Sequence, residues 1–370
     1  MNTHGRRWRT PTAALCAVLT AGTMAACGSS DDSGGGGGGK DATIALLLPE
    51  TKTTRYEKQD RPNFEKRVKE LCSGCTVSYA NADQDPAKQQ QQAEAAITKG
   101  AKAIVISAVD VKSAGAIVKR ARQAKVPVIA YGRLIPGQPI DYYVSIDPYK
   151  VGQQQAQVQM KKLQATGKKA PKIVMINGAP TDSNAKPYKD GARSVFKKQG
   201  ATIVKSYDTP DWSPDKAQQE MDQTITAEGK GGFDGVYVAN DGMASGAVAA
   251  LSGAGIAPKS VAVTGQDAEL AGVQRVLSHD QLMTVYQPLK KLASAAAELA
   301  VPLAQGKDAP GGLATEKVDN GSGQIPSVLL DTIAIQPDNV KSTVVKDGFQ
   351  SVSDICTKAY AKDCKAAGLQ

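Results

Sequence analysis

Residues 100–133, GAKAIVISAVDVKSAGAIVKRARQAKVPVIAYGR, decide the fold, and residues 232–267, GFDGVYVANDGMASGAVAALSGAGIAPKSVAVTGQD, repeat their plan. Each is an apolar run, a polar tip, an Ala/Gly-rich helical stretch, a second apolar run and a second polar tip. The runs AIVIS and GVYVA are apolar throughout rather than alternating, which fits strands covered on both faces. Strand–helix–strand units of this kind form parallel sheets with helices on either side. Two of them in tandem imply an α/β protein with two lobes of like topology.

The same alternation extends in both directions. Strands are expected at 44–48, 76–80, 103–107 and 126–130, with helices at 59–72, 85–99 and 114–123 between them. A second series places strands at 173–176, 202–207, 235–238 and 261–264, with helices at 184–198, 214–226 and 243–251. The join falls in YYVSIDPYKVG, around Ser145–Asp147. Leu289, Leu292, Ala296, Leu299 and Leu303 follow helical spacing and read as a helix crossing back over the first lobe. SVLLDTIAI then returns to the second.

Ahead of the first strand stands GSSDDSGGGGGGKDATIALLLPE, residues 28–50, whose Gly34 and Gly39-Lys40 have the spacing of a phosphate-binding loop. That loop follows a strand, opens a helix and places Ser or Thr after the lysine. Here Asp41 follows Lys40 and the strand comes afterwards, so the reading fails. Residues 1–26 explain the glycines better. Arg6, Arg7 and Arg9 precede an apolar stretch too short to span a bilayer, the pattern of an export signal. It ends at Met24-Ala25-Ala26-Cys27-Gly28, which resembles the lipobox of bacterial lipoproteins, with Cys27 as the acylated residue. Residues 27–40 then read as a flexible Gly/Ser leash between a lipid anchor and a folded body.

Without the leader, the formal charge of the 370-residue chain falls from +9 to +6, with both signs interspersed. The body is longer than one core usually organises. Aromatic residues make up 5% and no basic block appears, which argues against a nucleic-acid partner. Beyond Cys16 and Cys27 the cysteines form two local pairs, Cys72/Cys75 and Cys356/Cys364, expected as disulfides in an exported chain. Cys72/Cys75 has redox spacing but lies between a helix end and a strand, not at a helix start. The body retains a single histidine, His279, so neither a metal site nor a cofactor is expected.

In open α/β sheets, ligands bind beyond the carboxyl ends of the strands. Those tips read PETKTTRYE, SAVD, YGR, GAPTDSN, DTPDW, AND and GQD. They supply Arg, Asp, Asn, Gln, Tyr and Trp, groups that grip neighbouring hydroxyls in pairs. Trp212, the only tryptophan after the leader, offers a flat face to the C–H side of a sugar ring. Asn240 is expected to point into the cleft, whereas Asp110 and Asp241 read as helix caps. Tyr131 is expected to turn inward to packing, leaving Arg133 for the ligand. Arg55 and Arg61 have a competing reading as partners of Glu57 and Asp60 on a solvated helix start.

From about Ile44 to Gln350 the chain resembles the type I periplasmic-binding-protein-like family, and most of all its D-xylose-binding members. DSNAK, SGAVAALS, GQDAELAGVQRV, MTVYQP and VVKDGF carry the resemblance. It implies two Rossmann-like lobes joined by a three-segment hinge and closing on one monosaccharide. On that plan the first lobe is 41–145 plus about 284–325, the second about 146–283 plus 326–350, and 351–370 a tail. Carried over by position, sugar contacts fall at Arg55, Tyr56, Arg133, Asp182, Asn184, Trp212, Asn240 and Asp267, with Gln287 completing the set. Two departures bear on specificity: xylose binders read Asp-Arg at Gly132-Arg133 and Lys at Gln287. A residue is also inserted before Arg55.

The implied function is a monomeric, exported, lipid-anchored solute-binding protein that delivers an aldose, D-xylose or a relative, to an ABC permease and its ATPase. One rival is a sensory lipoprotein presenting sugar to a membrane receptor. Another is an exported glycoside-acting enzyme built on Asp182 and Asp267, although no acid–base constellation stands out.

Overall fold

The computed structural model describes residues 41–369. The expected signal at 1–26, the acylation site Cys27 and the leash to Lys40 lie outside the described residues. The chain alternates as its apolar runs dictate. In the first series β1 (Thr43–Leu48), α1 (Arg61–Leu71), β2 (Thr76–Asn81), α2 (Pro86–Thr98), β3 (Ala103–Ile106), α3 (Ala114–Gln123), β4 (Val128–Tyr131) and β5 (Tyr142–Ile146) follow one another. A long helix, α4 (Pro148–Ala165), leads into β6 (Lys172–Asn177), α5 (Ala185–Lys198), β7 (Thr202–Asp208), α6 (Pro214–Glu228) and β8 (Gly235–Val238). Next come α7 (Asp241–Gly253), β9 (Ala262–Val263), α8 (Leu270–Leu277) and β10 (Thr284–Tyr286). The chain ends through α9 (Leu289–Ala304), β11 (Glu316–Asp319), β12 (Gln324–Leu330), β13 (Ile333–Ile335), α10 (Val352–Ile355) and α11 (Ala361–Ala366).

Two main sheets result. A seven-stranded sheet has the order β11-β12-β5-β4-β3-β1-β2, and a four-stranded sheet the order β7-β6-β8-β9. All pairings are parallel apart from β11 with β12 and the small β10–β13 ribbon. Strands β3, β4 and β8 are buried at every residue, which explains their unbroken apolar sequences. The chain crosses between the sheets after β5, after β10 and after β12.

Two boundaries differ from the sequence reading. Ser327–Leu330 pairs with Tyr143–Ile146, so the first sheet keeps the chain through Leu330 and a boundary at 325/326 would cut a strand. Thr284–Tyr286 pairs with Ile333–Ile335 and packs beside α4 and α8 rather than with the first sheet. Helix α9 covers the first sheet against α1, burying Leu289, Leu292, Ala296 and Leu299.

Close helix packing sets the geometry of the second lobe. A Cβ on Gly152 of α4 would meet the Tyr188 carbonyl oxygen at 2.0 Å. One on Gly191 of α5 would meet the Tyr149 oxygen at 2.1 Å. Only glycine permits this approach, and it fixes the start of α5, where Asn184 and Tyr188 stand. Both local disulfides are formed, Cys72–Cys75 and Cys356–Cys364. Cys72 closes the C-terminal end of α1, away from the helix start that lowers a thiol's pKa.

Candidate functional site

The strand tips of both sheets converge on one cavity of about 550 Å³ of atom-free space, counted out to solvent. All nine residues singled out from the sequence line it: Arg55, Tyr56, Arg133, Asp182, Asn184, Trp212, Asn240, Asp267 and Gln287. Arg55 and Tyr56 open the turn before α1, and Arg133 follows β4. Asp182 and Asn184 follow β6, Trp212 follows β7, Asn240 follows β8, Asp267 follows β9 and Gln287 follows β10. Tyr188 and Gln266 also line the cavity and escaped the sequence reading. Tyr188 lies one turn after Asn184 on α5, and that spacing is the signal the sequence held for it.

Arg55 is held on three sides. Its Nε and Nη2 donate to the two oxygens of Asp60 at 2.8 and 3.0 Å, and Nη1 donates to Gln287 Oε1 at 2.9 Å. Asp60 is 1% exposed, so the pair is a buried clamp and not the solvated helix start that the sequence suggested. Only Arg61 fits that description, pairing with Glu65 and Glu57 on an open face. Tyr131 is corrected as well. It is buried, but it lines the cavity and its hydroxyl donates to Asp60 Oδ1, completing the support for Arg55.

Arg133 is 4% exposed. Its Nη1 donates to the Ala108 carbonyl at 2.7 Å, and its Nε lies 2.8 Å from Asp182 Oδ2 without hydrogen-bond alignment. Burial opposes its charge, but Asp182 and other neighbours outweigh that and raise the pKa. Together Arg55, Arg133, Asp182 and Asp267 leave the lining formally neutral. Asp267 accepts from Gln287 Nε2 at 2.9 Å, and burial raises its pKa against the pull of Arg55 3.9 Å away.

Trp212 and Asp267 occupy the left-handed backbone region, at φ 53° and 89°. Such conformations are costly for residues other than glycine and gather at binding sites. The Trp212 ring packs edge-on to Tyr188 and directly over Gly178, where a Cβ would lie 2.1 Å from its Cη2. Arg133 Nε, Trp212 Nε1 and Gln266 Oε1 are buried without hydrogen-bond partners. Each such group costs about 1–3 kcal/mol while unsatisfied.

Asn240 does two things. Its Oδ1 caps α7 by accepting from Met243 N–H at 2.9 Å, while the side chain still borders the cavity. Asp241, read as a cap from the sequence, is instead fully buried beneath the site. It accepts from Gln281 Nε2 at 2.7 Å, Thr284 Oγ1 at 2.8 Å and Glu269 N–H at 3.0 Å. Burial pushes its pKa up to about 7, partly offset by Arg275. Asp110, also read as a cap, accepts from Ser113 N–H at 2.7 Å in the turn before α3, while the N-cap position itself is Ser113, whose side chain caps nothing.

Direct bonds also join the rims of the two lobes. Val111 N–H donates to the Thr181 carbonyl at 3.1 Å, and Asn184 Nδ2 to the Gly132 carbonyl at 2.8 Å. On the other side, Thr54 N–H donates to Glu269 Oε1 at 3.0 Å. Burial, then the charges of Asp241 and Asp267, raise the Glu269 pKa to about 8.

Two α/β lobes crossed by three chain segments, with a polar cavity between facing strand tips, define a type I periplasmic binding protein. Residues 44–308 match the periplasmic binding protein domain, and the chain belongs to that family. It is 34% identical over 320 residues to the D-xylose-binding periplasmic protein of Escherichia coli (strain K12), covering 85% of this chain and 93% of the relative. The D-xylose-binding periplasmic protein of Haemophilus influenzae is 35% identical, with 85% and 92% covered. An ABC transporter solute binding protein from Clostridium phytofermentans, solved with bound β-D-glucose, superposes with a TM-score of 0.75 at 28% identity, covering 85% of this chain and 99% of that one. These relatives are solute-binding proteins, not enzymes.

Proposed function

We propose that this chain is the extracytoplasmic sugar-binding component of an ABC importer, holding one neutral aldose of the D-xylose type between its lobes. The observation that carries the reading is the cavity itself: nine polar and aromatic side chains from both lobes face one formally neutral space. Orphaned polar atoms and a tryptophan face suit a polyhydroxylated ring. The two curated relatives are named for D-xylose, and the superposed structure holds β-D-glucose, which agrees with an uncharged aldose.

In the proposed cycle an open form exposes both sets of tips, sugar bridges them, and closure pairs groups that one lobe alone cannot satisfy. A permease and its ATPase then recognise the closed form. The leader and Cys27 support tethering by lipid to the outer face of the cytoplasmic membrane. A thermal-shift screen over neutral, acidic and amino monosaccharides tests the ligand class, because a ligand of the folded state alone raises the melting temperature. A neutral aldose should give the largest shift; no shift with any aldose would end the reading.

A further inference from the structure

Behind the hinge lies a second cavity. Gln287 lines the sugar cavity, but Tyr286 and Pro288 on either side of it line a separate space of about 1060 Å³, atom-free and counted out to solvent. The two cavities share no lining residue. The walls of the rear one come from both lobes. Lys291 of α9 and Leu330 of β12 belong with the first sheet, whereas Ile333 of β13 and Thr343 belong with the second lobe. The Tyr286 hydroxyl donates to Asp347 Oδ2, so β10 is tied to that second wall. Further on, Gln274 Nε2 of α8 donates to the Asp354 and Ile355 carbonyls at 3.1 and 3.2 Å, which binds the tail to the second lobe as well. Direct bonds between the lobe rims mark the closed form, so the rear cavity is open when the cleft is shut. Ile333, one of three large apolar side chains exposed among the described residues, is 42% exposed beside it.

Two bodies that turn about crossings set between two cavities part on one side as they meet on the other. We propose, resting on the sugar-binding reading for the ligand alone, that closure over sugar opens this rear cavity and opening of the cleft narrows it, so that bulk placed there wedges the lobes shut and tightens binding. A wedge raises the closed fraction before sugar arrives, which lowers the apparent Kd in proportion. It also slows release, because sugar held between two sets of strand tips leaves only through the open form.

Ile333→Trp and Lys291→Trp add an indole to opposite walls of the rear cavity, and both positions are exposed, so neither disturbs a core. Leu71→Trp adds the same bulk at the end of α1, where it lines neither cavity. Calorimetric titration of the full chain with D-xylose and with D-glucose should give each filled variant a Kd lower by about fivefold to a hundredfold, with Leu71→Trp unchanged. Ile333→Phe is a smaller addition that keeps a folded variant available and should show part of the gain. Small-angle scattering of the sugar-free chain should find the filled variants more compact than the unaltered protein. A folded, filled variant whose affinity is unchanged or weaker overturns the wedge and leaves the sugar-binding reading standing, as does an equal gain in Leu71→Trp. If no aldose produces heat with any form, the sugar-binding reading is what fails. Scattering then judges the wedge by itself, and filled variants no more compact than the unaltered chain overturn it.

Discussion

Gly178→Ala probes the site without touching a group proposed to contact sugar. The new methyl would stand 2.1 Å from Trp212 Cη2 and 2.3 Å from Cζ2. Carbon atoms pack at about 3.5–4.0 Å, so the indole must retreat by about 1.5 Å. It has somewhere to go, because its free side borders the cavity. Overpacking costs about 1–3 kcal/mol where neighbours cannot yield, and the lower end applies here. Binding should suffer more, since the displaced ring occupies ligand space: about tenfold to a hundredfold, or roughly 1.4–2.8 kcal/mol. Calorimetry on Gly178→Ala, Trp212→Ala and the double variant separates the causes through a mutant cycle. If the loss runs through the ring, Gly178→Ala adds almost nothing once Trp212 is gone. An equal loss in both backgrounds, or an unchanged affinity in the single variant, would refute the placement of Trp212 as the sugar's platform.

Other outcomes follow from the same geometry. Asp182→Ala leaves the Arg133 cation buried without its partner, so the melting temperature should fall and sugar affinity drop at least about tenfold, read by calorimetry. Glu269 is raised from 4.5 to about 8 and Asp241 from 3.8 to about 7, so burial favours their protonated forms. The stability they contribute is present in acid and is lost as pH climbs from the ordinary carboxylate range to about 8. Thermal melts should therefore decline across that window, and Glu269→Gln should flatten its upper part. Replacing both Cys356 and Cys364 by Ser opens a bridge spanning 8 residues of separation. That should lower chemical stability by about 2–3 kcal/mol while sugar affinity stays unchanged.

The strands were legible because each buried run is continuously apolar, and the site was legible because the tips of such strands are where ligands bind. What the sequence hid lies mostly in pairing. Asp60 looks like a solvated helix-start acid, and only the return of β4 beside it shows that Tyr131 and Arg55 bury it. Asn240 faces the cavity as expected but also takes the cap expected of Asp241, which is instead buried beneath the site. Helix α4 is missing from the sequence reading altogether. Its inner face mixes Val151, Ala156, Met160 and Leu163 with Gln155 and Gln159, whose amides donate to the Val238, Gly265 and Ala262 carbonyls, so buried polar residues break up the apolar stripe that would mark it. The third crossing was placed five residues early because β12 continues to Leu330, and nothing in SVLLDTIAI marks where its partner strand ends.

The most direct test uses Trp212 as its own reporter. With Trp8→Phe, it is the sole tryptophan of the chain. Its emission, followed during titration with a neutral aldose, should change saturably and give the same Kd as calorimetry. Heat of binding with unaltered emission would put the sugar somewhere other than between these strand tips, and the account would be wrong.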